Sequence, residues 1–115
     1  MAEQTPLERV MDSNYDSFLQ APAGILLFKI ASCQACDEFE PIVQKAAETY
    51  HPSVRFGKVL MHVPGTSTGI KKRYTFETFP TTHFYKNGRL VHASEGKMDE
   101  KDLSRLIETH LVSSK

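Results

Sequence analysis

The two cysteines of the chain, Cys33 and Cys36, are separated by two residues and are the side chains best suited to chemistry. An apolar run with the length of a buried strand, Gly24 to Phe28, comes shortly before them. After it the apolar period becomes helical and marks one helix face: Cys36, Phe39, Val43, Ala46, Ala47 and Tyr50. The pair is therefore predicted where a buried strand gives way to a helix over 33–50.

Thiols at the start of a helix are suited to disulfide exchange. That reaction needs a thiolate nucleophile and a second thiol near enough to resolve the mixed disulfide. The partial positive charge and free N–H groups of a helix N-terminus stabilise a thiolate at Cys33. The spacing brings Cys36 onto the adjacent turn, within reach but more buried. A purely structural bridge is less favoured, because closing so short a loop constrains the unfolded chain very little.

The composition restricts the class of protein. A chain of 115 residues is expected to form one domain over 1–115. Fourteen basic and fourteen acidic residues give zero formal charge, so neither nucleic acid nor an anionic membrane surface is an expected partner. No apolar run approaches the ~18 residues of a membrane helix, and the N-terminus lacks the pattern of a secretory signal. We therefore expect a cytoplasmic protein.

The remaining periodicity predicts an alternating α/β chain. Asn87-Gly88 is typical of a tight hairpin between antiparallel strands, whereas a strand-helix-strand unit implies a parallel pair. A mixed sheet covered by helices follows from this order. The predicted elements are an edge segment with Leu7 and Val10, a helix capped by Asp12 or Ser13, strands over 54–61, 81–86 and 89–94, a helix over 70–74, and a last helix capped by Asp99.

This order, with a C-x-x-C pair opening the helix after the first central strand, resembles the thioredoxin family over nearly the whole chain. The resemblance implies a central mixed β-sheet with helices on both faces, Cys33 as nucleophile and Cys36 as resolving thiol. The other matching segments are the helix-kinking Pro41, the loop Pro64-Gly65-Thr66, the cis-proline segment Phe79-Pro80-Thr81, the hairpin Phe84-Tyr85-Lys86-Asn87-Gly88, and Gly96.

The resemblance also implies a substrate-binding edge beside the thiols. A cis bond before Pro80 would turn the main chain of Phe79 outward, where it could pair with an extended substrate segment, with Thr78 alongside. Gly96 would border the same groove. From the residues alone, an ordinary trans proline at the start of a strand stays open as the alternative.

The motif departs from the common family pattern. Thioredoxins usually have Trp-Cys-Gly-Pro-Cys, whereas this chain has Ser32-Cys33-Gln34-Ala35-Cys36 and no tryptophan. Leu27 occupies the position of a buried aspartate, and Lys58 aligns with the lysine that usually pairs with it. Since Gln34-Ala35 is more flexible than a pair containing proline, we expect a less reducing potential than that of typical thioredoxin.

Without a carboxylate in the strand, another base must deprotonate the resolving thiol. Glu38 and Glu40 are near in sequence and are expected to face solvent. Lys58, if buried and unpaired, could assist or stabilise a thiolate, whereas a lysine reaching out to water would not. Lys29 could add positive potential near Cys33, or it could simply end an exposed strand. Tuning of the thiols by Lys58 or Lys29 is thus a hypothesis.

A zinc site is the main alternative for a cysteine pair. It would need two more ligands nearby, and no two of the five histidines lie three to five residues apart. We therefore expect no metal. The histidines are His51, His62, His83, His92 and His110.

The expected function is reduction of protein disulfides through a mixed disulfide. Clients would be proteins that contain disulfides, and the electrons would come from a reductase or a low-molecular-weight thiol. The Cys33–Cys36 disulfide would be the redox centre, without a further cofactor. A glutathione-dependent, glutaredoxin-like enzyme is one alternative, although the stretch after Pro80 lacks the Gly-Gly pattern of that family. A non-catalytic binding module that uses the groove around Cys33, Pro80 and Gly96 is the other.

Overall fold

The computed structural model describes residues 7–63, 65 and 67–112. After an initial strand and helix, the element order is β-α-β-α-β-β-α, as predicted. Pro64 and Thr66 of the predicted loop lie outside the described residues. The strands are β1 (Leu7–Arg9), β2 (Ala23–Lys29), β3 (Arg55–Leu60), β4 (Thr81–Lys86) and β5 (Arg89–Glu95). The helices are α1 (Asp12–Phe18), α2 (Gln34–Tyr50), α3 (Thr68–Arg73) and α4 (Glu100–Ile107), with a π-helical turn at Glu108–Val112.

The strands form one mixed sheet in the order β1-β3-β2-β4-β5. β1, β3 and β2 are parallel, whereas β4 runs antiparallel to β2 and β5 antiparallel to β4. The central β2 is therefore paired on both sides, and its residues Ala23 to Phe28 are buried. Its carboxyl end, which leads into the cysteine pair, is held by neighbours on both sides.

Helices cover both faces of the sheet, which confirms the predicted thioredoxin-type architecture. Successive side chains of a strand point to opposite faces, so β2 contributes to two cores. Ile25 and Leu27 pack on the face covered by α2 and α4, and Leu26 and Phe28 pack on the face covered by α1 and α3. The main partners on the first face are Phe39, Val43, Phe56, Leu103 and Ile107, and on the second Tyr15, Phe18, Val59 and Ile70.

Helix α1 begins differently from the prediction. Its N-cap is Met11, whose N–H donates to Asn14 Oδ1 at 2.6 Å, so neither Asp12 nor Ser13 caps this helix. The Asp12 carboxylate instead accepts hydrogen bonds from the N–H groups of Gly69 and Ile70, at 2.8 and 3.0 Å. Asp12 thus fastens α3 to α1. By contrast, the predicted cap of α4 is confirmed, because Asp99 accepts from the Asp102 N–H at 2.9 Å.

Candidate functional site

Cys33 is the N-cap residue of α2 and is joined to Cys36 by a disulfide with a Cα–Cα distance of 5.2 Å. The Cys33 Sγ also accepts a hydrogen bond from the Cys36 N–H at 3.1 Å. Cys33 is half-buried, whereas Cys36 is fully buried. The sulfur that a partner could reach therefore belongs to Cys33, and the protected one belongs to Cys36.

A tight turn between β2 and α2 sets this position. Within it Ser32 has a φ of +58°, in the left-handed region that residues other than glycine seldom adopt. Cys33 then returns to extended backbone, with φ −117° and ψ 106°, which is usual for an N-cap. The Cys33 sulfur consequently faces the free N–H groups of the first helical turn, where negative charge on sulfur is stabilised.

The cis-proline segment lies directly beside the accessible cysteine. The peptide bond between Phe79 and Pro80 is cis, and the Phe79 carbonyl oxygen is 3.9 Å from the Cys33 Sγ. Gly96, with a φ of +86°, donates its N–H to the Pro80 carbonyl at 2.7 Å. Thr78 is exposed, but its carbonyl already accepts from the Thr81 hydroxyl at 2.5 Å. The fold thus gathers all of the segments that the sequence assigned to a substrate edge.

Aromatic rings that the sequence reasoning missed extend this edge. Phe79 stacks on Phe76 with ring centroids 6.0 Å apart and meets the His62 ring edge-on at 5.8 Å. Phe76 also stacks on His83 at 5.6 Å. Phe76 and Phe79 are both half-buried, so part of each ring is open to a partner. The spacing of the two phenylalanines before Pro80 is the signal that could have indicated an apolar wall next to Cys33.

A buried polar network supports these rings from below. His83 Nδ1 is 2.9 Å from the Tyr85 hydroxyl, which is 3.1 Å from the Tyr15 hydroxyl, and the latter is 3.0 Å from that of Tyr74. Burial lowers the pKa of His83 to about 4. Burial also raises the pKa of Tyr15 to about 12 and that of Tyr85 above its usual range. His83, Tyr85 and Tyr15 therefore carry no charge at neutral pH.

Glu40 forms ion pairs with both lysines that were considered as tuning groups. Its carboxylate contacts Lys29 Nζ closely and lies 2.7 Å from Lys58 Nζ. The exposed fractions of the Lys29, Lys58 and Glu40 side chains are 17%, 35% and 23%. The expectation that Glu40 faces solvent is therefore wrong, and Lys58 is neither unpaired nor free in water. Glu38, in contrast, is exposed, as expected, and pairs with Lys97.

Helix phase explains this arrangement. Glu40 follows the buried Cys36 by four residues, so both side chains leave α2 on neighbouring parts of one face. Lys58 pairs in register with Leu27, whose side chain packs beneath α2, and therefore projects toward the same helix. Burial alone would raise the pKa of Glu40, but hydrogen bonds and charges from the two lysines outweigh it and lower this pKa. The Glu40 carboxylate therefore stays ionised at neutral pH, and the formal charges of the three side chains leave one excess positive charge.

Two further findings concern the whole described part of the chain. Among the described residues, no group of three or more His, Cys, Asp or Glu side chains could hold a metal ion. In the same residues, none of the helices has both the length and the apolar character needed to cross a membrane.

Several known proteins are similar to this chain in sequence. The family model for thioredoxin matches residues 6–109. Thioredoxin Y, chloroplastic, from Oryza sativa subsp. japonica is 29% identical over 105 residues, covering 90% of this chain and 61% of that protein. A probable protein disulfide-isomerase A4 from Caenorhabditis elegans is 28% identical over 101 residues, covering 87% of this chain and 16% of its own length. The chain therefore spans only part of the length of these two relatives. Thioredoxin from Staphylococcus saprophyticus is 25% identical, covering 90% of this chain and 96% of that protein.

Solved structures agree in fold. Thioredoxin f2 of Chlamydomonas reinhardtii superposes with a TM-score of 0.79 at 21% identity, over 90% of this chain and 95% of that one. A mutant thioredoxin from Halobacterium salinarum gives 0.79 at 20% identity, over 96% of each chain. With the family model spanning most of its length and a C-x-x-C disulfide at the start of α2, the chain belongs to the thioredoxin family.

Proposed function

We propose that this protein is a thiol-disulfide oxidoreductase that reduces disulfides in client proteins. The main support for this proposal is the difference in burial between the two cysteines. The half-buried sulfur of Cys33 caps a helix and is joined to the fully buried Cys36. This pair is the redox centre of the proposal, and the chemistry needs no further cofactor.

The proposed reaction has two exchange steps. In the first, the Cys33 thiolate attacks one sulfur of the client disulfide, and the other client sulfur leaves as a thiolate that takes up a proton. In the second, Cys36 loses its proton and attacks the Cys33 sulfur. The bond from Cys33 to the client breaks, the second client thiol is released, and the Cys33–Cys36 disulfide forms. Two electrons have passed to the client, and a reductase or a low-molecular-weight thiol restores the dithiol.

The client would lie along the cis-proline segment. The Phe79 carbonyl, 3.9 Å from the Cys33 sulfur, borders the site where a client chain must pass. An extended client segment could pair with the main chain there, with Gly96 on the far side of the groove and the rings of Phe76 and Phe79 against its apolar side chains. Thr78 would act through its exposed side chain, because its carbonyl is engaged by Thr81.

The proton of the buried thiol needs an acceptor, and Leu27 supplies none. We infer that the Glu40 carboxylate, one helical turn beyond Cys36, takes this place and that Lys29 and Lys58 keep it ionised. The two lysines would then tune the thiol chemistry through Glu40. The cytoplasm, as a reducing compartment, suits a disulfide reductase of this kind and is our proposed location.

Two cysteine variants test the proposal. The wild-type protein with dithiothreitol should turn over in an insulin-reduction assay, and Cys33→Ser should abolish that turnover. Cys36→Ser should trap clients from a cell extract as mixed disulfides that reducing agent releases, whereas a Cys33→Ser/Cys36→Ser control should trap none. Equal turnover by wild type and Cys33→Ser would refute the proposal. A partner captured equally by all variants without a covalent link would point to a non-catalytic binding module, and turnover that depends on glutathione alone would point to a glutaredoxin-like enzyme.

A further inference from the structure

Three cationic side chains lie at or near the carboxyl ends of the three parallel strands. Arg9 of β1 pairs in register with Lys58 of β3, which in turn pairs with Leu27 of β2. Lys29 follows Leu27 by two residues. Residues in register across parallel strands, and residues two apart along a strand, point to the same face of the sheet. All three cations therefore project toward the face covered by α2.

These side chains line a small cavity, here termed the cationic pocket. Its walls are Arg9, Lys29, Lys58 and Leu60, and its volume is about 200 Å³. Leu60 pairs in register with Lys29 and supplies an apolar wall. Cavities for drug-sized ligands measure roughly 300–1,000 Å³. The cationic pocket is therefore suited to a compact ion or a single small group.

The charges around the cationic pocket do not balance. Glu40 pairs with both Lys29 and Lys58. In the described part of the chain, Arg9 has no ion-pair partner. Three positive charges against one negative charge leave an excess of two. Cations gathered around a concavity with poorly polarisable walls focus a positive potential and concentrate anions within it.

We propose that the cationic pocket binds a compact, doubly charged oxyanion of the phosphate class. The planar guanidinium of Arg9 can donate two parallel hydrogen bonds to such an anion, while each lysine contributes a point charge. The anion compensates the two excess charges and competes with the Glu40 carboxylate for the ammonium groups. Neither cysteine lines the pocket, so phosphate binding can be measured without disulfide exchange. The pocket nevertheless shares Lys29 and Lys58 with Glu40, the proposed proton acceptor of the exchange.

Calorimetric titration tests the site directly. Inorganic phosphate is titrated into the oxidised protein, with the ionic strength held constant by sodium chloride. We expect saturable binding with one site per chain, weakened about tenfold by Arg9→Gln because a charged hydrogen-bond donor is lost. Lys72→Gln is the matched control, since it removes one positive charge from an exposed position on α3 and should leave the affinity unchanged. Absence of saturable binding, or equal losses in the two variants, would overturn the proposal.

Glu40→Gln should change the phosphate affinity in the opposite direction to Arg9→Gln. Removing the competing carboxylate should tighten phosphate binding about tenfold, because a negative charge near the anion is lost. Circular dichroism verifies that the variant is folded. Unchanged or weaker binding would contradict the proposal.

A parallel titration with glycerol phosphate separates the two sources of the anion. Tighter binding than inorganic phosphate would assign the cationic pocket to a phosphorylated small molecule. Equal or weaker saturable binding would assign it to the free ion.

Discussion

At the residue scale, His83 shows how burial fixes a charge state inside this protein. Its ring is packed among Phe28, Tyr74 and Phe76, and its Nδ1 is within hydrogen-bond distance of the Tyr85 hydroxyl. Among the described residues His83 forms no ion pair with a carboxylate, and burial lowers its pKa to about 4. Phe76, which stacks on Phe79 beside Cys33, therefore packs against a neutral histidine.

This lowered pKa predicts a loss of stability in mild acid. In the unfolded chain a histidine takes up a proton near pH 6.5, whereas folded His83 does so only near pH 4, so protons favour the unfolded state between these values. The free energy of unfolding should fall by about 2 kcal/mol between about pH 7.5 and pH 5. Urea unfolding across this range measures it, and His83→Leu should remove most of the slope.

His51→Gln is the control for that experiment. His51 is exposed at the end of α2, so its replacement should leave the slope as in wild type. The pKa of His92 is also lowered by burial and by the neighbouring His110. His92 therefore also reduces the free energy of unfolding in mild acid, and it does so equally in all three proteins. A slope unchanged by His83→Leu would contradict the prediction.

The site residues differ in how far the sequence could predict them. Cys33 and Cys36 follow from their spacing at a strand-to-helix junction, which needs only local information. Glu40 was wrongly expected to face solvent because that expectation considered only its charge. It did not consider that a residue four positions after the buried Cys36 lies on the same face of the helix. Arg9 could not be predicted as a member of a pocket, since its neighbours depend on the register between β1 and β3.

At the element scale, the placement of α3 depends on a side chain distant in sequence. The helix has six residues, too few to be stable alone. Its first N–H groups are bound by Asp12 of α1, and Ile70 packs into the core shared with α1. The sequence placed Asp12 correctly near a helix start. The sequence could not reveal that Asp12 caps α3 and not its own helix α1, because Asp12 and Gly69 are 57 residues apart.

Asp12→Ala should therefore destabilise the protein by about 1–2 kcal/mol, since two backbone donors lose a charged acceptor. Asp16→Ala is a matched control on the same helix. Asp16 also reaches α3, but through an exposed ion pair with Arg73 at 3.4 Å, and such pairs contribute about 0–1 kcal/mol. Urea unfolding at neutral pH compares the two, and equal losses would show that Asp12 does not fasten α3.

At the scale of the whole molecule, the sheet determines which distant segments meet. Cys33 comes from the β2–α2 junction, Phe79 precedes β4, and Gly96 follows β5. Because β2, β4 and β5 are neighbours in the sheet and β4 runs antiparallel to both others, these three segments lie at the same end of the sheet. Family resemblance predicted their meeting from sequence, because the motifs recur with the fold. The stacked Phe76–Phe79 pair and the cationic pocket were not predicted, because they depend on side-chain packing and on the register between strands.

The reduction potential also belongs to the whole molecule, because it measures the free-energy difference between the folded dithiol and disulfide forms. Gln34 and Ala35 lie between the cysteines in the first turn of α2, where typical thioredoxins have Gly-Pro. We expect a potential less negative than the roughly −270 mV of thioredoxin, measured by equilibration with glutathione. The double variant Gln34→Gly/Ala35→Pro should shift it toward more negative values, since the stiffer pair is the one found in strongly reducing relatives. A wild-type value at or below that of thioredoxin would contradict this expectation, and an unchanged value in the double variant would show that the two central residues do not set the potential.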